Sequence, residues 1–148
     1  MRVVVGSDER TELTEAVVAE LRERGHEPVL VGPLVGEALE WADVGRAVGE
    51  AVASGGADTG VCFCWTGTGV SIAANKVAGV RAALCSDAET AGGARRWNDA
   101  NVLVMSLRSV SVAIGLEMLD AWFTTDADPA EAANVAKVSG AEPGRPRR

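Results

Sequence analysis

The chain has 148 residues, of which 47% are apolar and 24% charged, and this balance is typical of a globular protein with one domain and a sizeable core. A net charge of -7 argues against a nucleic-acid partner. The sequence has no signal peptide, no apolar run near the roughly 20 residues that span a bilayer, and too few cysteines for a disulfide framework, so we expect a cytoplasmic protein without a membrane partner.

Hydrophobic periodicity in the first half of the chain predicts alternating strands and helices. The run RVVVGSD is typical of a buried strand that ends in a turn. Further strands are predicted at Pro28–Val31 and Thr59–Cys64, with helices at Thr11–Arg24 and Val44–Ala53. The strand at Thr59–Cys64, TGVCFC, is apolar on both faces, which is typical of the centre of a parallel sheet.

The second half of the chain continues the alternation. Two further strands are predicted at Arg81–Ser86 and Asn101–Ser106. Helices are predicted at Val70–Val77, Ala88–Arg96, Ser109–Phe123 and Asp126–Val138. The helix at Ala88–Arg96 is the weakest of these, because it contains two consecutive glycines.

This order of elements predicts an α/β protein, a three-layer α/β/α sandwich with a five-stranded parallel, Rossmann-like sheet. No linker or internal repeat divides the chain, so residues 1–138 are expected to form a single domain. The remaining residues, 139–148, carry arginines among prolines and glycines and are expected to be a flexible tail.

Ligands of such folds bind at the carboxyl ends of the strands, where the sequence places the segment TGTGVS, residues 66–71. Small residues expose backbone N–H groups, and the N-terminus of the following helix adds partial positive charge. This arrangement suits a phosphate or a developing oxyanion. The segment matches neither a phosphate-binding GK[ST] loop nor GxGxxG, and a tight strand-to-helix turn explains it equally well.

Cys64 precedes this segment, with only Trp65 between them, and is the principal candidate for chemistry. Aligned backbone donors favour the thiolate form, which would act as a base or nucleophile. The competing interpretation is a packed thiol at the end of a strand. Together with Cys62 and Cys85 it matches no zinc-binding spacing, and the single histidine, His26, is predicted at the far end of the sheet. Neither a metal ion nor another cofactor is expected.

Four segments resemble one known family. They are VGSD at the end of the first strand, CWTGTGVSIAANK at 64–76, GVRAALCSD at 79–87 and RRWNDANVLVMSLR at 95–108. In order and spacing they are similar to the ribose-5-phosphate isomerase B and galactose-6-phosphate isomerase family, over residues 1 to about 123. The resemblance implies an aldose–ketose isomerase that moves a proton between C1 and C2 through a cis-enediolate. It also implies a homodimer or homotetramer with active sites between subunits, acting on a sugar or sugar phosphate.

The resemblance also implies roles for individual residues. One branch of the family uses a cysteine base at the position of Cys64, whereas the other uses a glutamate at the position of Val70. The catalytic candidates are Cys64, Thr66 and Asn98. The expected enediolate donors are Gly67, Thr68, Gly69, Val70 and Ser71. The substrate-binding candidates are Asp8, Glu9, Trp41, Trp65, Trp97 and Arg108.

Several positions depart from the family pattern. Glu9 and Trp97 stand where histidines are usual, and an indole can donate a hydrogen bond but cannot shuttle a proton. Glu131 and Val135 stand where two arginines usually bind the substrate phosphate. Trp65 replaces a glycine after the cysteine.

These departures predict a retained proton-transfer centre that acts on a non-phosphorylated or differently anchored sugar-like substrate. Two alternatives stay open on the sequence. One is an ordinary ribose-5-phosphate isomerase, with Arg10, Arg46 or Arg108 binding the phosphate. The other is a catalytically silent subunit or ligand-binding paralogue.

Overall fold

The computed structural model describes residues 1–140, which form five parallel strands in the order β2-β1-β3-β5-β4. The strands are β1 (Arg2–Ser7), β2 (Glu27–Val31), β3 (Thr59–Cys64), β4 (Ala82–Leu84) and β5 (Val102–Ser106). The helices are α1 (Glu12–Glu23), α2 (Trp41–Ala53), α3 (Thr68–Asn75), α4 (Ala88–Asn98), α5 (Val112–Thr124) and α6 (Ala132–Gly140). Two short 3-10 turns lie at Gly32–Val35 and Pro129–Glu131. The predicted α/β class and five-stranded parallel sheet are confirmed.

The sheet separates two apolar cores, as the three-layer prediction requires. On one face α2 and α3 pack on Val4, Cys62, Val102 and Val104. On the other face α1, α4 and α5 pack on a core that includes Phe63. The central strands β1, β3 and β5 are almost wholly buried, and each fully buried large apolar side chain contributes about 1.5–3 kcal/mol.

Several element ends differ from the predicted ones for local reasons. Helix α2 begins at Trp41 rather than Val44, after an extended Glu40, since residues 41–43 are exposed and the buried apolar periodicity begins only at Val44. Helix α5 begins at Val112 rather than Ser109, because the Ser111 hydroxyl accepts a hydrogen bond from the Ile114 N–H at 3.2 Å and caps it.

The predicted terminal helix opens with the 3-10 turn Pro129–Glu131 before α6, and Asp128 caps this turn. Helix α6 continues to Gly140, so the first two residues of the predicted tail are helical. The rest of the tail, residues 141–148, lies outside the described part of the chain. Within residues 1–140, no helix combines the length and apolarity needed to cross a membrane.

The short edge strand β4 is covered by a side chain of α3. Asn75 accepts a hydrogen bond from the Ala82 N–H at 2.8 Å and donates one to the Ala82 carbonyl at 2.9 Å. The amide thus occupies both outward-facing backbone groups of Ala82, as a neighbouring strand would.

Candidate active site

Cys64 and Asp8 lie on adjacent strand ends at the carboxyl edge of the sheet. Ser7 pairs with Phe63, so Asp8 is level with Cys64 on strands about 5 Å apart. Side chains alternate along a strand, and Val4 and Cys62 both face α2, so Asp8 and Cys64 share that face. On the other side of Cys64, β3 pairs with β5 at Ser106.

The loop after β5 fixes the backbone around Cys64. The Leu107 N–H donates to the Cys64 carbonyl at 3.0 Å, and the Arg108 N–H donates to the Trp65 carbonyl at 2.9 Å. The Ser106 hydroxyl adds a second donor to the Trp65 carbonyl at 2.9 Å. These bonds hold the backbone of Cys64 and Trp65 in place, and the Cys64 side chain itself is buried, at 5% exposure.

The segment after Cys64 forms an open helix N-terminus, as predicted. Gly67 adopts a left-handed φ of 79°, and no side chain caps α3. The backbone N–H groups of Thr68, Gly69 and Val70 therefore have no intrahelical acceptor and are available to an anion. The prediction of Ser71 as an enediolate donor is wrong for its backbone, because the Ser71 N–H already donates to the Gly67 carbonyl at 3.2 Å.

The remaining predicted donors differ in what they expose. Val70 is fully buried in the core below α3, so only its backbone reaches the site. The hydroxyl of Thr68 lies 2.7 Å from that of Thr66, the predicted catalytic threonine, and either can donate to the other.

Gly67 is essential to this loop for two separate reasons. A Cβ there would lie 2.5 Å from Leu84 Cδ1 and 3.3 Å from the Met105 carbonyl oxygen, at a φ that side chains rarely adopt. We expect Gly67→Ala to lower the free energy of unfolding by about 2–4 kcal/mol, measured by urea denaturation. Gly25→Ala is the matched control, since Gly25 has the same φ of 79° but no atom within 4 Å of an added Cβ. Equal losses in the two variants would contradict the close approach at Gly67.

Two of the predicted substrate-binding tryptophans border the loop. The ring of Trp41 lies against Gly69, where an added Cβ would be 2.7 Å from ring atom Cε3. Trp65 is 59% exposed beside Cys64. Together they supply aromatic surface at the open N-terminus of α3.

Asp8 and Glu9 form a tight acidic turn. The Ser7 hydroxyl donates to the Glu9 carbonyl at 2.5 Å and accepts from the Glu9 N–H at 3.2 Å. Burial raises the pKa of the Asp8 carboxyl, repulsion from Glu9 adds to this, and a backbone hydrogen bond opposes it. Asp8 therefore holds a proton more readily than an ordinary aspartate.

The three arginines considered as phosphate ligands differ in their partners. Arg10 donates to the Leu34 carbonyl at 2.7 Å and lies 3.9 Å from Glu15. Arg46 pairs with Asp43 at 3.0 Å. The exposed guanidinium of Arg108 has no hydrogen bond or ion pair with another residue in 1–140, which leaves it available to an anionic group.

The three thiols do not converge. Cys62 and Cys64 belong to the core under α2, whereas Cys85 belongs to the opposite core. Burial, then repulsion from Asp87, raises the pKa of Cys85 to about 11. The pKa of Cys62 is also raised, by its complete burial and then by the neighbouring Cys64 thiol. No cluster of three potential metal ligands occurs in the described residues.

Trp97 and Asn98 lie away from Cys64 within the chain. They form the last turn of α4, which runs back to the amino end of β5. At that end of the sheet the Asn101 carbonyl accepts a hydrogen bond from the Gly60 N–H at 3.0 Å. Gly60 lies four residues before Cys64 on β3, which places it about 13 Å from Cys64 along the strand. Within one chain, Cys64, Asp8, Trp41, Trp65 and the N-terminus of α3 therefore lie at the carboxyl edge of the sheet. Asn98 and Trp97 lie towards its amino end.

Trp97 and Asn98 instead line a second candidate site. A cavity of about 380 Å³ opens between α4, α6 and the β4 edge, and Glu131 and Val135 contribute to its wall. Arg81 also lines this cavity, but its guanidinium lies 3.4 Å from the Asp99 carboxylate. Glu131 accepts a hydrogen bond from Asn134 at 2.9 Å. Sequence reasoning missed Arg81, although it lies in the family-like segment GVRAALCSD, and Asn134, which belongs to no recognisable motif.

Comparison with known proteins identifies the family. The family model described as Ribose/Galactose Isomerase matches residues 3–139. The chain belongs to this family. It is 41% identical over 110 residues to ribose-5-phosphate isomerase B of Escherichia coli, covering 74% of each chain. It is 33% identical over 144 residues to D-erythrulose-4-phosphate isomerase 2 of Mycolicibacterium smegmatis, covering 94% of this chain and 93% of that protein.

Solved structures of the ribose/galactose isomerase family share the fold. Ribose-5-phosphate isomerase B of Clostridium thermocellum superposes with a TM-score of 0.87 at 36% identity, covering 94% of this chain and 95% of the other. The match confirms both the family predicted from the motifs and the Rossmann-like architecture. It also confirms that this chain is an isomerase.

The two asparagines of the family motif NDAN, residues 98–101, have different surroundings in the structure. Asn98 is exposed and lines the cavity. Asn101 instead binds the backbone before β4, accepting from the Arg81 N–H at 2.7 Å and donating to the Gly79 carbonyl at 2.9 Å. Much of this motif therefore serves the fold.

Proposed function

We propose that this chain interconverts an aldose and a ketose, with Cys64 as the base that transfers the proton between C1 and C2. The observation that carries this proposal is the position of Cys64 at the end of β3, three residues before the uncapped N-terminus of α3, whose first N–H groups have no intrahelical acceptor. The thiolate takes the proton from the carbon next to the carbonyl, and the electron pair of that C–H bond forms the enediolate double bond. The α3 N–H groups stabilise the charge that develops on oxygen, and the proton returns to the other carbon.

Asp8 is proposed to serve the oxygen atoms of the same intermediate. It lies level with Cys64 and on the same face of the sheet. Since its pKa is raised by burial, it can carry a proton to or from a substrate hydroxyl. This role would replace part of what the missing histidines supply elsewhere in the family.

A non-phosphorylated or differently anchored substrate is supported by the cavity that Asn98 lines. Glu131 brings a carboxylate to it, and the guanidinium of Arg81, the arginine in its wall, is engaged by the Asp99 carbonyl and carboxylate. The Glu131 carboxylate would repel a phosphate dianion that enters there. Hydroxyl groups, in contrast, can donate to the Glu131 carboxylate, and sugar faces can stack on Trp97.

Two observations favour phosphorylated alternatives. The Escherichia coli relative is named for ribose 5-phosphate. The Arg108 backbone N–H binds the carbonyl of Trp65, next to Cys64, and its guanidinium has no ion pair within residues 1–140. A second relative, which matches over 94% of this chain, is named for the shorter D-erythrulose 4-phosphate.

The decisive experiment measures kcat/KM for ribose 5-phosphate, erythrulose 4-phosphate, free pentoses and free tetroses. We expect the free sugars, or a phosphosugar that does not need the Glu131 cavity, to be the better substrates. Ordinary enzymatic turnover of ribose 5-phosphate, about 10⁴ M⁻¹s⁻¹ or more, would overturn the altered-substrate proposal. Loss of proton exchange with every sugar in solvent deuterium would overturn the isomerase chemistry itself.

A site shared between two copies is part of the proposal, because Asn98 is remote from Cys64 within one chain. Large apolar side chains are exposed on the elements concerned: Trp41, Trp65, Ile72, Leu84, Trp97 and Val138. Such surface is typical of an interface between subunits. The expected assembly is a homodimer or homotetramer.

Complementation tests the shared site. Cys64→Ala and Asn98→Ala are each expected to be nearly inactive alone. When equal amounts of the two variants are unfolded and refolded together, half of the dimers contain one copy of each variant. Each mixed dimer has one intact site out of two, so the mixture should recover about a quarter of wild-type activity. Absence of recovery in a mixture shown by mass spectrometry to contain mixed dimers would contradict the shared site.

Alkylation tests the reactivity of Cys64. With iodoacetamide at neutral pH, we expect one modified thiol, identified as Cys64 by peptide mass spectrometry. Cys62 and Cys85 are internal controls, because burial raises the pKa of both and that of Cys85 to about 11. Labelling of Cys85 should increase about tenfold per pH unit until the pH nears that value. Equal labelling rates for the three thiols at neutral pH would argue against an activated Cys64.

A further inference from the structure

Asp99 follows Asn98 directly and ends α4 in a left-handed turn. Its φ and ψ are both 44°, and it is the one non-glycine residue within 1–140 with a positive φ. Glycine adopts this conformation with the least strain, at helix ends in particular. Because a glycine would satisfy the backbone at least as well, the carboxylate is the feature that needs an explanation.

The carboxylate of Asp99 binds two arginines from different elements. Oδ1 accepts from Arg95 Nη1 at 3.0 Å, and Oδ2 lies 3.4 Å from Arg81 Nη2. The Asp99 carbonyl accepts from Arg81 Nε at 2.8 Å. One residue therefore joins the last turn of α4 to the segment that enters β4.

Both arginines are themselves held by the core. Arg95 Nη1 also donates to the Ala100 carbonyl at 2.6 Å, and its guanidinium lies 5.6 Å from the ring centroid of the buried Trp122. The Arg81 backbone N–H donates to Asn101 at 2.7 Å. The carboxylate is thus attached to fixed points on both sides of the turn.

This arrangement lies immediately beside Asn98. Asn98 and Arg81 line the same cavity, and Asn98 also borders the neighbouring cavity of about 390 Å³ along α4. The side-chain amide of Asn98 makes no hydrogen bond with another residue of 1–140, so no such bond fixes its direction. Its position therefore depends on the turn that follows it.

We propose that Asp99 is a positioning residue, which fixes the direction of Asn98 at the cavity by binding Arg81 and Arg95 across the left-handed turn. This inference rests on the proposed part of Asn98 in the isomerase site. Asp99 does not touch the substrate, and its effect on the reaction passes through Asn98.

A double-mutant cycle on the full-length enzyme tests this dependence. Asp99→Gly keeps the left-handed turn and removes the carboxylate, and we expect kcat/KM to fall about 10- to 100-fold. In the Asn98→Ala background, the same change should alter kcat/KM by less than about twofold. Asp99→Asn, which keeps one acceptor for Arg95, should lie between wild type and Asp99→Gly. An equal loss in both backgrounds would overturn the positioning role.

A second measurement needs no activity. The side-chain amide resonances of Asn98 are assigned in ¹⁵N-labelled protein by their loss in Asn98→Ala. They should move and broaden in Asp99→Gly. The matched control is Asp58→Gly, which removes a carboxylate that accepts from the Arg2 N–H at 2.7 Å at the same end of the sheet, and it should leave them unchanged.

The two measurements separate the possible failures. Unchanged Asn98 resonances in Asp99→Gly would overturn the positioning role whatever the kinetics. Full activity of Asn98→Ala would instead overturn the place of Asn98 in the proposed site, while the resonances still decide whether Asp99 positions it.

Discussion

Replacing Cys64 by alanine is expected to lower kcat about 10²- to 10⁴-fold, the usual contribution of a positioned general base. The thiol lies before the open N-terminus of α3, so it is the group that can approach a substrate whose oxygens bind those N–H groups. Substrate binding should change little, because the α3 donors and the aromatic surface remain. The measurement is kcat and KM for the best substrate, together with solvent deuterium incorporation at C1 or C2.

Cys62→Ala is the matched control for this prediction. Cys62 lies two residues earlier on the same strand and the same face, but it is completely buried. Its loss should reduce thermal stability through a small cavity and leave kcat within about twofold at a temperature where the variant is folded. Exchange of substrate protons at the wild-type rate in Cys64→Ala would mean that another group is the base.

Introducing arginines at Glu131 and Val135 is expected to convert the second cavity into a phosphate site. Both residues line the cavity together with Asn98. The double variant Glu131→Arg/Val135→Arg removes one negative charge and adds two positive ones, and a charge-assisted hydrogen bond contributes about 1.5–3 kcal/mol. We therefore expect KM for ribose 5-phosphate to fall about 10- to 100-fold.

Two control variants isolate the cause of that change. Glu131→Gln removes the repulsion without adding a cation and should lower KM only about threefold. Lys137→Arg changes an exposed residue of α6, the helix that carries Val135, without changing the charge. Inhibition by inorganic phosphate should increase in the double variant alone. If KM for ribose 5-phosphate stays unchanged in the double variant, the Glu131 cavity is not where this enzyme meets the far end of its substrate.

The layered fold could be predicted because the alternation of apolar runs and helical periods is local information. The prediction of helix α4 was the weakest one, since Gly92 and Gly93 lower the helix propensity of its sequence. In the structure an added Cβ at Gly93 would lie 2.7 Å from the Trp97 ring, and α4 packs along α5. Contacts made in the folded chain therefore maintain a helix whose own sequence favours it weakly.

The candidate site could be predicted only in part. Cys64 and the donors after it are consecutive in sequence, so their proximity followed from one strand-to-helix turn. The distance between Cys64 and Asn98 depends on the direction of α4, which returns to the amino end of the sheet. The binding of Arg81 by Asp99 joins residues 18 positions apart and leaves no periodic signal in the sequence.

The contact between Asn75 and Ala82 restricts how copies of this chain can assemble. Outward-facing backbone groups alternate along an edge strand, so the three-residue β4 offers two such positions, and the Asn75 amide fills the one at Ala82. This hinders a second molecule from adding a strand at β4, which is one of the two edges of the sheet, the other being β2. Contacts between copies at the β4 edge must therefore come from side chains of helices and loops, and the filled position also protects this edge against uncontrolled strand addition in concentrated protein.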